Sequence, residues 1–143
     1  MTPTPSQTIG PFFGFALPFE DDAVGAPDGL RIEGQVLDGA GEPVPDALVE
    51  VAGPDQFGRC RTDVEGAYHF TVGEPSDGFL SMTVFARGLL RHLNTRIYFP
   101  GREDAIPAIV DPARRHTLLA RRDGGSLRFD VRLQGGDETV FFA

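Results

Sequence analysis

The hydrophobic pattern predicts a chain made mostly of β-strands. It is clearest in residues 79–99, where apolar and polar side chains alternate in two runs on either side of Arg87-Gly88. A period of two is typical of strands with one buried face, and glycine favours a turn between them. We therefore expect two neighbouring strands, with the Arg87 cation placed where the sheet turns.

The flanking residues predict further strands. The alternation in residues 30–38, the glycines and proline after it and the alternation resuming at 47–53 indicate a β-hairpin. Residues 62–66 have the composition of a turn that leads into a strand over residues 67–72.

The last third of the chain begins outside the sheet. Pro100-Gly101 ends a strand, and Asp111 followed by Pro112 predicts a short helix through Arg115, with Asp111 as its cap. A second hairpin is expected across Gly124-Gly125, between residues 118–122 and 127–133, and a final strand over residues 139–142.

Residues 1–29 follow neither period. Four prolines and four phenylalanines fall within about twenty positions, so this segment cannot build a core of its own. Leaving each ring in water forgoes about 1.5–3 kcal/mol. Residues 1–29 must therefore lie across their own domain or across a partner. We favour the partner and expect an extended interface arm over residues 1–29 and a single β-sandwich domain over residues 30–143.

Composition excludes several classes of function. A formal net charge of -8 argues against a nucleic-acid partner. No apolar run approaches the ~20 residues that cross a bilayer, and the N-terminus has no features of an export signal, so no membrane association and a cytoplasmic location are expected. The single cysteine, Cys60, excludes an internal disulfide, and we expect it to be a small buried side chain.

Residue types alone point to no catalytic centre. His69, His92 and His116 lie far apart without a metal-ligand spacing, and there is neither a G-x-S-x-G elbow nor a phosphate loop. For Arg87 two interpretations stay open, a solvated loop cation or a side chain that projects into a binding site.

Two segments resemble prealbumin-like sandwich modules, namely GQVLDGAGEPVPDALVEV and TDVEGAYHF. The resemblance implies an all-β sandwich, here with one short helix and the N-terminal arm. Adhesin repeats, peptidase accessory domains and an enzyme family share this fold, so the fold does not choose a function.

Three further motifs, in order, resemble the alpha-subunit branch of the intradiol ring-cleavage dioxygenase family. They are T-P-S-Q-T-x-G-P-F near the N-terminus, V-F-A-R-G-x-x-x-H-L-x-T-R-x-Y-F in the centre and R-F-D-V-R-L-Q-G-x-x-E-T-V-F-F at the C-terminal end. The resemblance implies a hetero-oligomer with a homologous beta subunit, which holds a non-haem Fe(III) between two tyrosines and two histidines. It also implies the reaction, cleavage of 3,4-dihydroxybenzoate by O2 to 3-carboxy-cis,cis-muconate.

The iron ligands of that family do not carry over to this chain. Phe79 and Ser81 stand where the beta subunit has its H-x-H pair, and the loops after Val51 and Val72 contain no tyrosine. Tyr68, in the T-D-x-x-G-x-Y motif, and Tyr98 are better explained as sandwich and strand aromatics. The resemblance thus implies no catalytic residue and no metal ligand on this chain alone.

What the resemblance does imply is a contribution to the partner's substrate pocket. The matching positions are Thr8, Gly10, Pro11 and Arg87. A benzoate carboxylate favours a guanidinium and exposed backbone N–H groups, and glycine permits close approach.

The chain also departs from the family, because it lacks a longer insertion after Val51 and a longer loop before Phe79. Both deletions fall where a second, alpha-borne site would lie. The main alternative is a prealbumin-type binding or interaction module without catalytic activity, and a homo-oligomeric hydrolase or ligand carrier stays open as well.

Overall fold

The computed structural model of the chain describes residues 21–143. Nine strands and two short 3-10 helices make up the regular structure of these residues. The strands are β1 Leu30–Leu37, β2 Leu48–Gly53, β3 Gln56–Arg61, β4 Ala67–Val72, β5 Phe79–Phe85, β6 Leu93–Tyr98, β7 Arg121–Asp123, β8 Ser126–Arg128 and β9 Val131–Arg132, and the helices are Glu103–Ala105 and Pro112–Leu118. No helix among these residues is long and apolar enough to cross a membrane.

The strands form two sheets. The first sheet has the order β4-β1-β8-β7, with β9 pairing β1 beyond β8, and the second has the order β3-β2-β5-β6. β1 runs parallel to β8 and β9, whereas the other pairs are antiparallel. The prediction of an all-β sandwich is confirmed.

The core lies between the two sheets and follows the predicted alternation. On β5 the side chains of Leu80, Met82 and Val84 are buried, and the residues between them are half-buried or exposed. A second, smaller cluster lies on the other face of β6, where Tyr98 packs with residues in or next to the two 3-10 helices. Its buried members are Tyr98, Ile106, Val110 and Leu118.

The predicted hairpin over residues 30–53 is wrong. β1 pairs with β4 and β8 in one sheet, whereas β2 pairs with β3 and β5 in the other. Only an isolated bridge between Leu37 and Pro43 joins the connection back to β1. The segment after β1 therefore crosses between the sheets instead of folding back within one.

The C-terminal predictions are confirmed in part. Asp111 caps the helix Pro112–Leu118 by accepting from the N–H of Ala113 (3.0 Å), although the helix is of the 3-10 type and runs past Arg115. The hairpin at Gly124-Gly125 exists as β7 and β8, with Gly124 at φ +62°, and is shorter than expected.

The predicted strand over residues 139–142 is wrong. A single bridge joins Phe142 to Asn94. The hydroxyl of Thr117 accepts from the N–H of Val140 (3.1 Å), and the hydroxyl of Thr95 donates to the carbonyl of Val140 (2.8 Å). Side chains thus replace the ladder that a strand would need.

Residues 22–25 connect the two sheets along one edge. The carbonyl of Asp22 accepts from the N–H of Arg59 on β3, and the carbonyl of Ala23 accepts from the N–H of Thr71 on β4. The end of the expected arm is therefore hydrogen-bonded to the sandwich itself. The rest of that arm lies outside the described residues, so its role as an interface stays a prediction.

Candidate functional site

Arg87 lies in the turn that joins β5 to β6, as the sequence predicts. Gly88 takes φ +87°, and the N–H of Leu89 bonds the carbonyl of Ala86 (3.2 Å), which closes the turn. The Arg87 side chain is 60% exposed. The turn therefore projects a guanidinium away from the core.

A carboxylate from another turn stands between Arg87 and a second arginine. Asp46, at φ +58° just before β2, accepts a hydrogen bond from Nε of Arg61 (3.0 Å). Its other oxygen is 3.9 Å from Nη2 of Arg87. Because Asp46 holds Arg61 more closely, no close anionic partner among the described residues neutralises Arg87. An accessible positive charge thus lies at this end of the second sheet, on a chain whose net charge is -8.

The other predicted pocket residues, Thr8, Gly10 and Pro11, lie outside the described residues. Their position relative to Arg87 stays a prediction.

A cation–aromatic stack occupies the outer face of the second sheet. The guanidinium of Arg96 lies 4.7 Å from the ring centre of Phe79 and 4.6 Å from that of Phe142. Its Nη1 donates to the hydroxyl of Tyr98 (3.0 Å), and the rings of Phe79 and Tyr98 are 5.1 Å apart. The resemblance aligns Phe79 with a metal-ligand position of the partner subunit, but in this chain Phe79 is part of the cation–aromatic stack around Arg96.

Both tyrosines of the chain are already engaged. Tyr68 is buried and its hydroxyl donates to the carbonyl of Phe129, as expected for a sandwich residue. Burial raises the pKa of Tyr68 well above its ordinary value, so the phenol stays protonated. Tyr98 has no exposed surface and its hydroxyl accepts from Arg96.

The imidazoles do not converge with the tyrosines. His69 and His116 are exposed, and the ring of His92 packs 5.5 Å from that of Phe85. Within residues 21–143 no group of three His, Cys, Asp or Glu side chains could hold a metal ion. These residues do not fit a ferric centre built from two tyrosinates and two imidazoles, which needs hard anionic oxygens beside imidazole nitrogens.

Cys60 belongs to the core. It is a free thiol, 8% exposed on β3, and burial raises its pKa. A thiol in this setting carries little thiolate and is a poor nucleophile.

Sequence reasoning missed the Asp46–Arg61 pair and the Arg96 stack. The first joins two turns that are distant in sequence, so no local signal could have found it. The second had a signal, because Arg96 and Tyr98 are two residues apart on a predicted strand and so share a face.

Comparisons with known proteins give consistent results. The chain is 34% identical to the protocatechuate 3,4-dioxygenase alpha chain of Burkholderia cepacia over 189 aligned positions, which cover 97% of this chain and 96% of the relative. It is also 34% identical to the protein of that name from Pseudomonas putida, with 97% and 95% covered. A scan against models of known protein families finds no match.

The alignment also shows that this chain is shorter than its relatives. The 189 aligned positions exceed the 143 residues of the chain by 46, so at least 46 positions of the alignment have no residue here. This agrees with the expectation that the chain lacks family insertions.

Solved structures of dioxygenases share the fold. The dioxygenase domain of a carbohydrate-binding fusion from Streptomyces sp. SirexAA-E superposes with a TM-score of 0.58 at 23% identity, covering 94% of this chain and all of that one. Catechol 1,2-dioxygenase from Pseudomonas arvilla C-1 gives 0.57 at 22% identity, covering 81% of this chain and 57% of that one.

Proposed function

Because the chain belongs to the family of protocatechuate 3,4-dioxygenase alpha chains, we propose that it completes the substrate pocket of an iron-bearing beta subunit. The substrate is 3,4-dihydroxybenzoate, which O2 cleaves between its two hydroxyl-bearing carbons to give 3-carboxy-cis,cis-muconate. The chain has no catalytic residue of its own in this proposal and acts as one subunit of a hetero-oligomer.

The proposal places the iron on the partner. The intradiol dioxygenases are iron-dependent enzymes. In this chain the phenols of Tyr68 and Tyr98 are both hydrogen-bonded within the sandwich, and Phe79 is stacked under Arg96. Iron binding by Tyr68 would break its hydrogen bond in the core, and iron binding by Tyr98 would break its hydrogen bond with Arg96. This supports an Fe(III) site on the beta subunit.

The observation that carries the proposal is the exposed, weakly paired guanidinium of Arg87 on the turn between β5 and β6. Arginine presents a planar fork of N–H donors that matches a carboxylate, and its charge attracts an anionic substrate. In the proposed complex Arg87 reaches across the interface and binds the carboxylate of 3,4-dihydroxybenzoate. It thereby orients the ring towards the metal, while the metal supplies the oxygen chemistry.

The N-terminal arm is the second contribution that we propose. Thr8, Gly10 and Pro11 would line the same pocket, and the apolar rings of residues 1–29 would lie on the beta subunit. The end of the arm is anchored to the sandwich, because residues 22–25 are hydrogen-bonded to β3 and β4. Removal of residues 1–14 should therefore weaken assembly without unfolding the sandwich.

Co-purification with the beta subunit tests this proposal. The full chain is purified alone and with its partner, and iron content and O2 uptake with 3,4-dihydroxybenzoate are measured. We expect iron and uptake in the complex and neither in the single chain, and we expect weaker co-elution of the two subunits when residues 1–14 are removed. A stable chain that never associates with a beta subunit would instead support the alternative, an interaction module without catalytic activity.

A further inference from the structure

We propose that the chain carries a second anion site, a pocket for a small polycarboxylate between the helix Pro112–Leu118 and the strands β7–β9. The cavity has a volume of about 350 Å³. Its charged and imidazole-bearing walls are Arg121, Arg128, Arg132, His116, Asp130 and Asp137. It lies apart from Arg87, since none of its lining residues comes from the turns around β2 and β5.

One arginine of this pocket, Arg128, is held by other residues of the chain through two of its three nitrogens. Nε of Arg128 donates to Asp130 (3.1 Å), and its Nη2 donates to the side chain of Gln35 (3.1 Å). Asp130 in turn accepts from the N–H of Gln35 (2.9 Å). These bonds tie Arg128 and Asp130 to Gln35 on β1 and form one wall of the cavity.

The other two arginines are available. Arg121 is 73% exposed and its Nη2 is 3.9 Å from Asp130, too far for a hydrogen bond. The guanidinium of Arg132 has no hydrogen bond or ion pair with any residue in 21–143, whereas its backbone N–H is bonded to the hydroxyl of Thr139 (2.9 Å). The backbone of Arg132 is thus held by Thr139, and its guanidinium is unpaired within the described part of the chain.

The sign of the charge distinguishes this cavity from two others. Three arginines face two carboxylates here, a surplus of one positive charge with His116 neutral. A cavity on the outer face of β1 and β4 has two arginines and three carboxylates, and one beside Asp46 has one arginine and two carboxylates. Counted over the lining residues alone, the charge of the first cavity favours an anion more than that of the other two.

The donors define the class of ligand. The hydroxyl of Thr117 donates to the carbonyl of Arg114, so it has no donor left for a ligand. The hydroxyl of Thr139 accepts from the N–H of Arg132, and its side chain is buried, so the guanidinium groups are the main donors of the cavity. Within residues 21–143 Arg121 has only a long ion pair with Asp130 and the guanidinium of Arg132 has no partner, so two guanidinium forks favour a ligand with at least two carboxylates. The product of the proposed reaction has three, and its assignment as the natural occupant rests on the proposed function.

Calorimetric titration of the full chain with citrate, a stable tricarboxylate, tests the site at constant ionic strength. We expect saturable binding that Arg132→Ala weakens by about tenfold, the loss of one charge-assisted contact. Arg122→Ala is the matched control, because Arg122 lies on β7 next to Arg121 but does not line the cavity. Inorganic phosphate serves as a second probe and should bind more weakly than citrate.

Equal affinity in Arg132→Ala and Arg122→Ala, or no saturable binding at all, would overturn the proposal. If Arg132→Ala does not fold, Arg121→Ala replaces it, because the side chain of Arg121 is mostly exposed to solvent. The citrate affinity of Arg121→Ala is then compared with that of Arg122→Ala. The readout is binding and not ring cleavage. Failure of the dioxygenase proposal would therefore leave citrate binding intact, and failure of the pocket would leave O2 uptake intact.

Discussion

Replacement of Arg87 by alanine separates a role in the substrate pocket from a role in folding. Its nearest anionic partner is 3.9 Å away and the side chain is 60% exposed. Exposed ion pairs of this kind contribute at most about 1 kcal/mol. The free energy of unfolding of the chain should therefore change by less than about 1 kcal/mol in Arg87→Ala.

The effect on the complex should be much larger. Loss of a hydrogen bond between a guanidinium and the substrate carboxylate costs about 1.5–3 kcal/mol. This corresponds to a decrease of roughly 10- to 150-fold in kcat/KM for 3,4-dihydroxybenzoate. Iron content should stay unchanged, since Arg87 holds no metal in this account.

The assay compares two substrates in the complex of both subunits. Catechol, which lacks the carboxylate, should be cleaved by Arg87→Ala as well as by the unmodified complex. Arg91→Ala is the matched control, because Arg91 is an exposed arginine of the same turn region. The reasoning is refuted if Arg87→Ala lowers iron content, or if both substrates lose activity to the same degree.

Three further predictions concern the sandwich itself. Gly34→Ala should prevent folding, because an added Cβ would overlap the backbone carbonyl of Phe129. Gly125→Ala is the control and should fold, because no atom lies within 4 Å of the added Cβ. Circular dichroism distinguishes the two variants, and a folded Gly34→Ala protein would contradict the packing of β1 against Phe129. Tyr68→Phe should lower the unfolding free energy in urea by about 1–3 kcal/mol, since it leaves a buried carbonyl without its donor, and an unchanged midpoint would argue against that bond. Cys60 should react with iodoacetamide at pH 8 far more slowly than a free thiol, because its raised pKa leaves less thiolate and its side chain is buried; a rate equal to that of free cysteine would contradict both.

The sequence predicts strands well where one face is buried and poorly where pairing is distant. β4, β5 and β6 follow the period of two, and their bounds agree with the alternation. The parallel partner of β1 could not be found in this way, because the pairing of Ile32 with Leu127 joins residues that lie 95 positions apart. Alternation shows which face of a strand is buried, but it does not identify the strand that pairs with it.

β3 was missed for a local reason. Gly58 interrupts its pattern and favours a turn in sequence, yet in the structure Gly58 is buried beside the ring of Phe70, where a Cβ would come within 2.9 Å of it. The glycine therefore makes room for an aromatic ring from the facing sheet. A single sequence does not distinguish this use of glycine from a turn.

The site was predicted less completely than the fold. The turn at Arg87-Gly88 follows from glycine between two strands, and the structure confirms it. Arg87 is only weakly paired because Asp46 hydrogen-bonds Arg61 instead. That bond forms only when the start of β2 and the end of β3 lie side by side. Such electrostatic balance between distant turns is set by the folded arrangement.

Anomalous diffraction at the iron edge, from crystals of the complex of both subunits, tests the division of labour between the chains most directly. The account predicts one iron peak per pair of subunits, bound by side chains of the beta subunit, with Arg87 of this chain lining the adjoining pocket. A peak within coordination distance of Tyr68, Tyr98 or a histidine of this chain would contradict it.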